Sequence, residues 1–516
     1  MATGRPDAAA GDTADAPRSP FKALYDLHSW LGLACGLIFY VICFAGVLAL
    51  FTRELGPWQR GETDLPPRLA PAAFDGAMTR ALEGIPATAR RSVQVIMPTP
   101  YSSVLTIRVR GDRGTPERIG HFDPATGQET TYVKPVAADV LTRLHTDLLL
   151  PQPFGRYLVG LLGLAMVASV ISGLILHRKF IREFFVLRLG QSRRLLWADL
   201  HKSIGLWGLP FHLVMALSGT ILGVVGLALP LASAVAFKGD LDAATRAMAE
   251  GPGPAVAVAP AATIPASRAI AAARDAYPAL IPRILSIRGY GTDGARIQVM
   301  GDVPGALAYY PWVTLDGVSG EVLSITDWSR ETAGRQVYAM VTPLHYGSFG
   351  GLAAKFLYAL MGAGTCAVIL SGLLIWRARW SADGVATPGE ALIWDRLIQS
   401  VGCGLPFASV LLLIVCRLLP PGPSGNEPVM TGLLLAIWTA AAVWVWRRPP
   451  ARAGRDLMRV TGGVLLLFPI ISWYDAGRHL FDVISAGGLA TAGVDIAAPV
   501  IGAGLLIALR RQSNCE

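Results

Sequence analysis

Apolar residues in this chain run in long, nearly unbroken stretches rather than at the spacing of a soluble helix or strand. Runs of roughly twenty, the length that crosses the hydrocarbon core of a bilayer, fall near residues 29–51, 157–177, 203–230, 355–376, 397–419, 430–447, 458–480 and 491–509. Eight membrane-spanning helices are expected, so the chain reads as a mainly α, polytopic protein of the lipid bilayer. Between 52 and 140, and again between 231 and 340, the pattern changes. A helical stretch is followed by alternating runs such as "SVLTIRVRG" and "ARIQVMG", which predict strands. Each insertion also carries the same turn: Asp123 and Gly127 in "FDPATGQE" recur as Asp316 and Gly320 in "TLDGVSGEV". Asp capping the turn and Gly supplying a positive φ explain that spacing as hairpin chemistry.

The recurrence extends beyond the turns. Aligned without a gap, "LYDLHSWLGL" (24–33) and "WADLHKSIGL" (197–206) superpose Asp26 on Asp199, His28 on His201, Gly32 on Gly205 and, further on, Gly46 on Gly219. "RLHTDLLLPQPFG" (143–155) resembles "PLHYGSFG" (343–350), matching His145 to His345, and "SGLILHR" (172–178) matches "SGLLIWR" (371–377). The first 380 residues are therefore a tandem duplication of span, outside segment, span. Each copy has an even number of spans, so the copies share one orientation and predict a four-helix bundle around an axis along the membrane normal. Residues 385–516 hold four further spans and no copy of the unit.

Composition agrees: 53% of the 516 residues are hydrophobic and 16% charged. The net charge of +9 raises nucleic acid as a partner. The basic residues lie in short loops between spans, notably 178–194 and Arg447, Arg448, Arg452 and Arg455, which is the positive-inside signature and leaves no nucleic-acid partner expected. Both loops then face the cytoplasm, with both termini, and the insertions lie outside. The run from Trp30 to Phe51 is too long for a signal-peptide core and is expected to stay as a helix. Five of the six cysteines fall within spans, so no disulfide framework is expected.

Ionisable groups are costly inside a membrane and are usually functional there. Six of the eight histidines lie at or within the first four spans. His28, His177 and His201 fall near the cytoplasmic face, and His145 and His345 near the outer face. His212 lies eleven residues past His201, about 16 Å deeper on nearly the same helix face. A single histidine at a helix end is more simply an interfacial or capping side chain; six in two levels, four of them duplicated, point to axial ligation of two haems in the bundle interior. The expected pairs are His28 with His201 and His145 with His345, at equal depth on diagonal helices, with His177 and His212 as substitutes. Zinc or copper fits less well, since no HxxxH or HxH occurs. Asp475, Arg478 and His479 cluster at the end of the seventh span, where an i, i+3 Asp–Arg pair is expected and a quinol site is conceivable.

The segments "DLHSWLGL", "DLHKSIGL", "LHTDLLL", "PLHYGSFG" and the two "SGL" runs resemble the PepSY-associated transmembrane family, iron-regulated inner-membrane proteins that include ferric siderophore reductases. The resemblance implies two b-type haems in the four-helix bundle, held by His28, His145, His201 and His345 and less surely by His177 and His212. It also implies two periplasmic α+β PepSY-like domains, and electron delivery to a periplasmic ferric siderophore with release of Fe(II) for iron uptake. The location implied is the bacterial inner membrane. No GxGxxG fingerprint follows a strand, so a quinol or a cytoplasmic reductant is the expected electron donor. The plan is then a disordered tail (1–20), first span (21–51), first PepSY-like domain (52–140), second span (141–180), basic cytoplasmic loop (181–196), third span (197–230), second PepSY-like domain (231–340), fourth span (341–380) and the C-terminal region (385–516). Two rival functions are a non-enzymatic membrane module binding a periplasmic partner and a permease for a siderophore or metal complex. No catalytic side chain is assigned.

Overall fold

The computed structural model describes residues 19–513, except 66–67, 87–89, 91, 112–116, 135, 178–187, 189–191, 242 and 245–258. Most of the 1–20 tail and of the 181–196 loop therefore lies outside the described residues, as does Cys515. Eight helices are long and apolar enough to cross a membrane, at the eight places where the apolar runs fall. The first, α1 (Pro20–Ala49), starts where Ser19 accepts the Lys22 backbone N–H on its side chain and Pro20 takes the first helical position, a position that needs no N–H.

The helices of the duplicated part are α4 (Val136–Thr146), α5 (Phe154–Leu176), α6 (Arg193–Trp207), α7 (Leu209–Val224), α10 (Ala333–Tyr346) and α11 (Gly351–Ala382). Packing runs α1 to α5, α5 to α7, α6 to α11 and α11 back to α1, so the four spans form a ring with α1 diagonal to the α6–α7 span. Within the duplicated part three expected spans divide. The third breaks at Gly208, ahead of Pro210 at the start of α7. The segments 141–180 and 341–380 each open with a short separate helix, α4 or α10, before the spanning one. Positive φ at Leu148 and Leu149 follows α4, and Gly347, at φ 61°, ends α10. His145 and His345 thus sit on short helices that approach the bundle, not on the spans themselves.

The insertions contribute α2 (Thr52–Arg60), α3 (Pro71–Leu82) and β1 (Ser92–Ile96), β2 (Leu105–Arg110) and β3 (Arg118–Phe122), then α8 (Ala228–Ala236), α9 (Ala266–Ala276) and β4 (Ile281–Arg288), β5 (Arg296–Asp302), β6 (Trp312–Asp316) and β7 (Val322–Thr326). The two separate domains expected from the sequence are one. Their strands form a single antiparallel sheet, ordered β3-β2-β1-β4-β5-β6-β7, in which β1 of the first copy pairs with β4 of the second from Ser92 opposite Arg288 to Ile96 opposite Ile284. Helices α3 and α9 cover one face. Phe74, Ala77, Ala269 and Ala273 bury Val93, Val95, Leu105, Ile107, Leu285, Ile287, Ile297 and Val299 there in one core, each large side chain contributing about 1.5–3 kcal/mol. The repeated turns form as expected. Asp123 accepts from the backbone of Ala125 and Thr126, and Asp316 from that of Val318 and Ser319; Gly127 and Gly320 have φ of 69° and 81°. The Ser319 bond, with Arg296 nearby, holds the Asp316 carboxyl below its ordinary value.

The remaining helices, α12 (Pro388–Gly402), α13 (Gly404–Leu418), α14 (Glu427–Arg447), α15 (Pro450–Leu465), α16 (Phe468–Ala476) and α17 (Leu489–Ser513), dock mainly on the first copy, with α12 also against α11 of the second. Tyr40 of α1 donates to the Gly402 carbonyl at 2.9 Å. Leu141 and Leu144 of α4 share a core with Leu412, Leu413, Met430 and Leu434. Trp58, fully buried, donates from Nε1 to Asp495 at 2.8 Å and stacks on Phe468. Arg417 lies over the same indole, 4.7 Å from its centroid, and donates to Ser472 and Asp475. The expected Asp475–Arg478 pair is not made: Asp475 receives Arg417, while Arg478 reaches across to Asp64 at 2.7 Å. The Arg478–Asp64 bond ties the C-terminal helices to the first insertion, while Arg417–Asp475 joins α13 to α16.

Candidate functional site: two histidine pairs in the bundle

The structure brings four of the six candidate histidines together, two and two. His28 of α1 and His201 of α6 meet with ring centroids 6.3 Å apart and planes at 83°. His145 of α4 and His345 of α10 meet at 5.8 Å and 28°. Each pair joins one copy of the repeat to the other.

Within its own copy each ring is held by the neighbouring helix. His28 Nδ1 donates to the Ser169 carbonyl at 2.9 Å, beside Ser172 of α5. His201 Nδ1 donates to the Val368 carbonyl at 2.8 Å, beside Ser371 of α11. In both, the serine hydroxyl bonds the same carbonyl. The repeated "SGL" runs now have a meaning. Ser172 and Ser371 flank the ring, and the adjoining Gly173 and Gly372 let it approach, since a Cβ there would lie 3.0 Å from His28 or 3.1 Å from His201.

The other pair follows the same plan. His145 Nδ1 donates to the Ile42 carbonyl of α1 at 2.8 Å. His345 Nδ1 meets Ser218 Oγ of α7 at 2.9 Å; that hydroxyl donates to Val214, so its oxygen accepts from the imidazole. Gly46 and Gly219, superposed in the repeat, are the residues these two rings lean on. The sequence matched these glycines and serines without revealing that each supports a histidine on another helix.

With Nδ1 engaged as donor in all four rings, Nε2 carries the free lone pair, the tautomer in which a metal-ligating histidine is fixed by its second nitrogen. Two imidazoles on opposite sides of one metal, with bonds of about 2 Å and about 1.1 Å from nitrogen to ring centre, place their centroids about 6 Å apart. Both pairs fit. Space fits as well at the first pair. Gly32 and Gly205, each four residues past a histidine and so on its helix face, have at most a 4.0 Å contact where a Cβ would stand. Among the described residues no group of three or more His, Cys, Asp and Glu is placed to hold a bare ion.

The other two candidates join neither pair. His177 caps α5, its backbone N–H bonded to the Gly173 and Leu174 carbonyls. His212, after the break at Gly208, bonds through Nδ1 to Thr365 Oγ1 of α11 at 3.0 Å, three residues from the carbonyl that holds His201. This bond ties His212 to α11, apart from both pairs.

The sequence resembles a known protein. An uncharacterised protein of Pseudomonas aeruginosa is 27% identical over 380 residues, which is 72% of this chain and 93% of that one. Residues 25–379, the whole duplicated unit with all four paired histidines, match the PepSY-associated TM region, and the chain belongs to that family of membrane proteins.

Proposed function

We propose that the protein is a di-haem b reductase of the bacterial inner membrane, passing electrons across the bilayer to a periplasmic ferric siderophore and releasing Fe(II) for uptake. The observation that carries this reading is the meeting of two histidine pairs at different levels of one bundle, every ring held through Nδ1 so that its Nε2 is left free of that bond. His28 with His201 would hold the haem toward the cytoplasm, and His145 with His345 the outer one. Haem bound by two histidines supplies one-electron chemistry at an iron with no open position. The protein then binds, orients and insulates. Ser169, Val368, Ile42 and Ser218 fix the ring planes, the bundle excludes water, and substrate meets the protein outside, on the insertion side. In this orientation the arginines after α14 and both termini face the cytoplasm, as the positive-inside rule asks. The seven described strands form one antiparallel sheet, which offers no parallel βαβ unit for a dinucleotide. A quinol or a separate cytoplasmic reductant then supplies electrons.

The test is the absorption spectrum of the purified chain from haem-replete cells. Reduced low-spin b-type bands at two haems per chain, oxidised on adding a ferric siderophore, are expected. A colourless protein would overturn the proposal.

A further inference from the structure

The sheet face opposite α3 and α9 is unusual in what it leaves unpaired. In register across it run Arg108, Gln94, Ser286, Gln298, Thr314 and Ser324, one from each strand from β2 to β7. Thr314 is fully buried there. Its Oγ1, Ser324 Oγ, Trp312 Nε1, Arg296 Nε and Arg108 Nε are all buried with no hydrogen-bond partner. Such groups are rare in folded proteins, because each forfeits the bonds that water would give it. Five on one face, nearly all donors, describe a surface built to meet acceptors.

The face carries a recess. It lies at the seam of the two copies and is lined by Ser92, Gln94, Arg108, Arg110 and Ser286. Arg288, opposite Ser92 in register, stands at its edge. Of the four arginines in this region, Arg110 is paired with Glu117 and Arg296 with Asp316, both at 2.9 Å. Arg108 and Arg288 have no carboxylate partner among the described residues, so the recess keeps a surplus of positive charge. Guanidinium groups in that state favour carboxylate or phosphate oxygens, which they grip in bidentate fashion.

We propose that this recess captures anionic, oxygen-rich ligands, and, resting on the reductase reading above, that it selects ferric chelates of net negative charge, such as carboxylate complexes, over neutral ones. Arg108 is the central contact, with Arg288 and the serine and glutamine side chains completing the donor set. Capture happens on the sheet, two to four residues along β2 from Thr106, whose row carries the contacts of His121 and Tyr132 toward α2.

The experiment is titration calorimetry of the full chain in detergent with gallium(III) citrate, a redox-inert copy of the ferric complex. A neutral gallium trihydroxamate and inorganic phosphate serve as comparisons. Expected are binding of the citrate complex at least tenfold tighter than of either comparison, loss of at least tenfold in Arg108→Gln, partial recovery in Arg108→Lys, and weakening with salt. Equal binding of the neutral complex, phosphate binding as tight as the citrate complex, or an unchanged Arg108→Gln would each overturn the proposal. Because gallium accepts no electron, the reductase reading is tested apart, by whether the reduced protein is oxidised by ferric citrate.

Discussion

Gly46 is the residue on which the outer histidine pair depends most tightly, and replacing it with alanine measures that dependence. A Cβ at this position would stand 2.8 Å from Nδ1 and 2.9 Å from Cε1 of His145. Non-bonded heavy atoms rest about 3.5–4.0 Å apart, so the ring must retreat by roughly 0.6–1 Å. The Nδ1 bond to Ile42, 2.8 Å long, then stretches to about 3.5 Å, where it ceases to be a hydrogen bond. Overpacking of this size costs about 1–3 kcal/mol, and losing the partner that orients a ligand typically lowers metal affinity about 10–100-fold. Gly372→Ala is milder, because its Cβ would lie 3.1 Å from His201 and needs a smaller retreat. Gly432, inside α14, has nothing within 4 Å; alanine there gains helix propensity of up to about 1 kcal/mol and serves as control. Haem per chain, measured by pyridine haemochrome assay alongside thermal unfolding, should fall toward one in Gly46→Ala, fall less in Gly372→Ala, and stay at two in Gly432→Ala. A Gly46→Ala protein that keeps two haems at wild-type affinity refutes the argument that this close contact aims the ring.

Replacing His145 or His345 with alanine should remove one haem and spare the other, and His28 or His201 the converse; redox titration should show a single remaining step, and loss of both haems from one substitution would count against independent pairs. His177→Ala and His212→Ala should retain both. Burial, and then the nearby Arg108, hold His121 below the ordinary histidine value, so the unfolded chain takes up this proton first as pH falls. His121 should therefore leave stability unchanged well above pH ~6.5 and reduce it progressively below; thermal unfolding at pH 7.5 and 5.5 should show a smaller acid loss in His121→Gln, and equal losses would exclude the group. Arg417→Leu removes a fully buried guanidinium that donates to Ser472 and to the part-exposed Asp475 and should cost about 1–3 kcal/mol, read as lowered unfolding temperature in detergent with the C-terminal helices released to protease.

The eight spans were readable because a bilayer imposes length and composition on every crossing segment, whatever the neighbours. The histidine pairs were readable for another reason: duplication wrote the same histidine positions twice, at matching places in each copy, while the support from the matched glycines and serines came only from tertiary packing. His212 was placed by counting 100° per residue from His201; that count could not foresee the interruption at Gly208 or the bond that ties its ring to Thr365 of α11. The merger of the insertions was not legible, because β1 and β4 lie about 190 residues apart and their pairing depends on edges that local patterns do not describe. The Asp475–Arg478 pair was assigned from spacing along one helix. The true partners, Arg417 and Asp64, come from helices that only tertiary packing brings near.

The shared sheet has a mechanical consequence. Five registered residue pairs between β1 and β4 act as a yoke across the outer ends of the two repeats, and the C-terminal helices brace one of them from the side. Transporters built from repeats work by rocking one repeat against the other about a central site, and a yoke of this kind opposes that motion. What it favours is constancy: a fixed spacing between the two histidine pairs, which suits the proposed electron transfer through a bundle that need not reorganise. A cross-link across the β1–β4 seam should accordingly leave electron transfer intact, whereas it would stall a rocking permease.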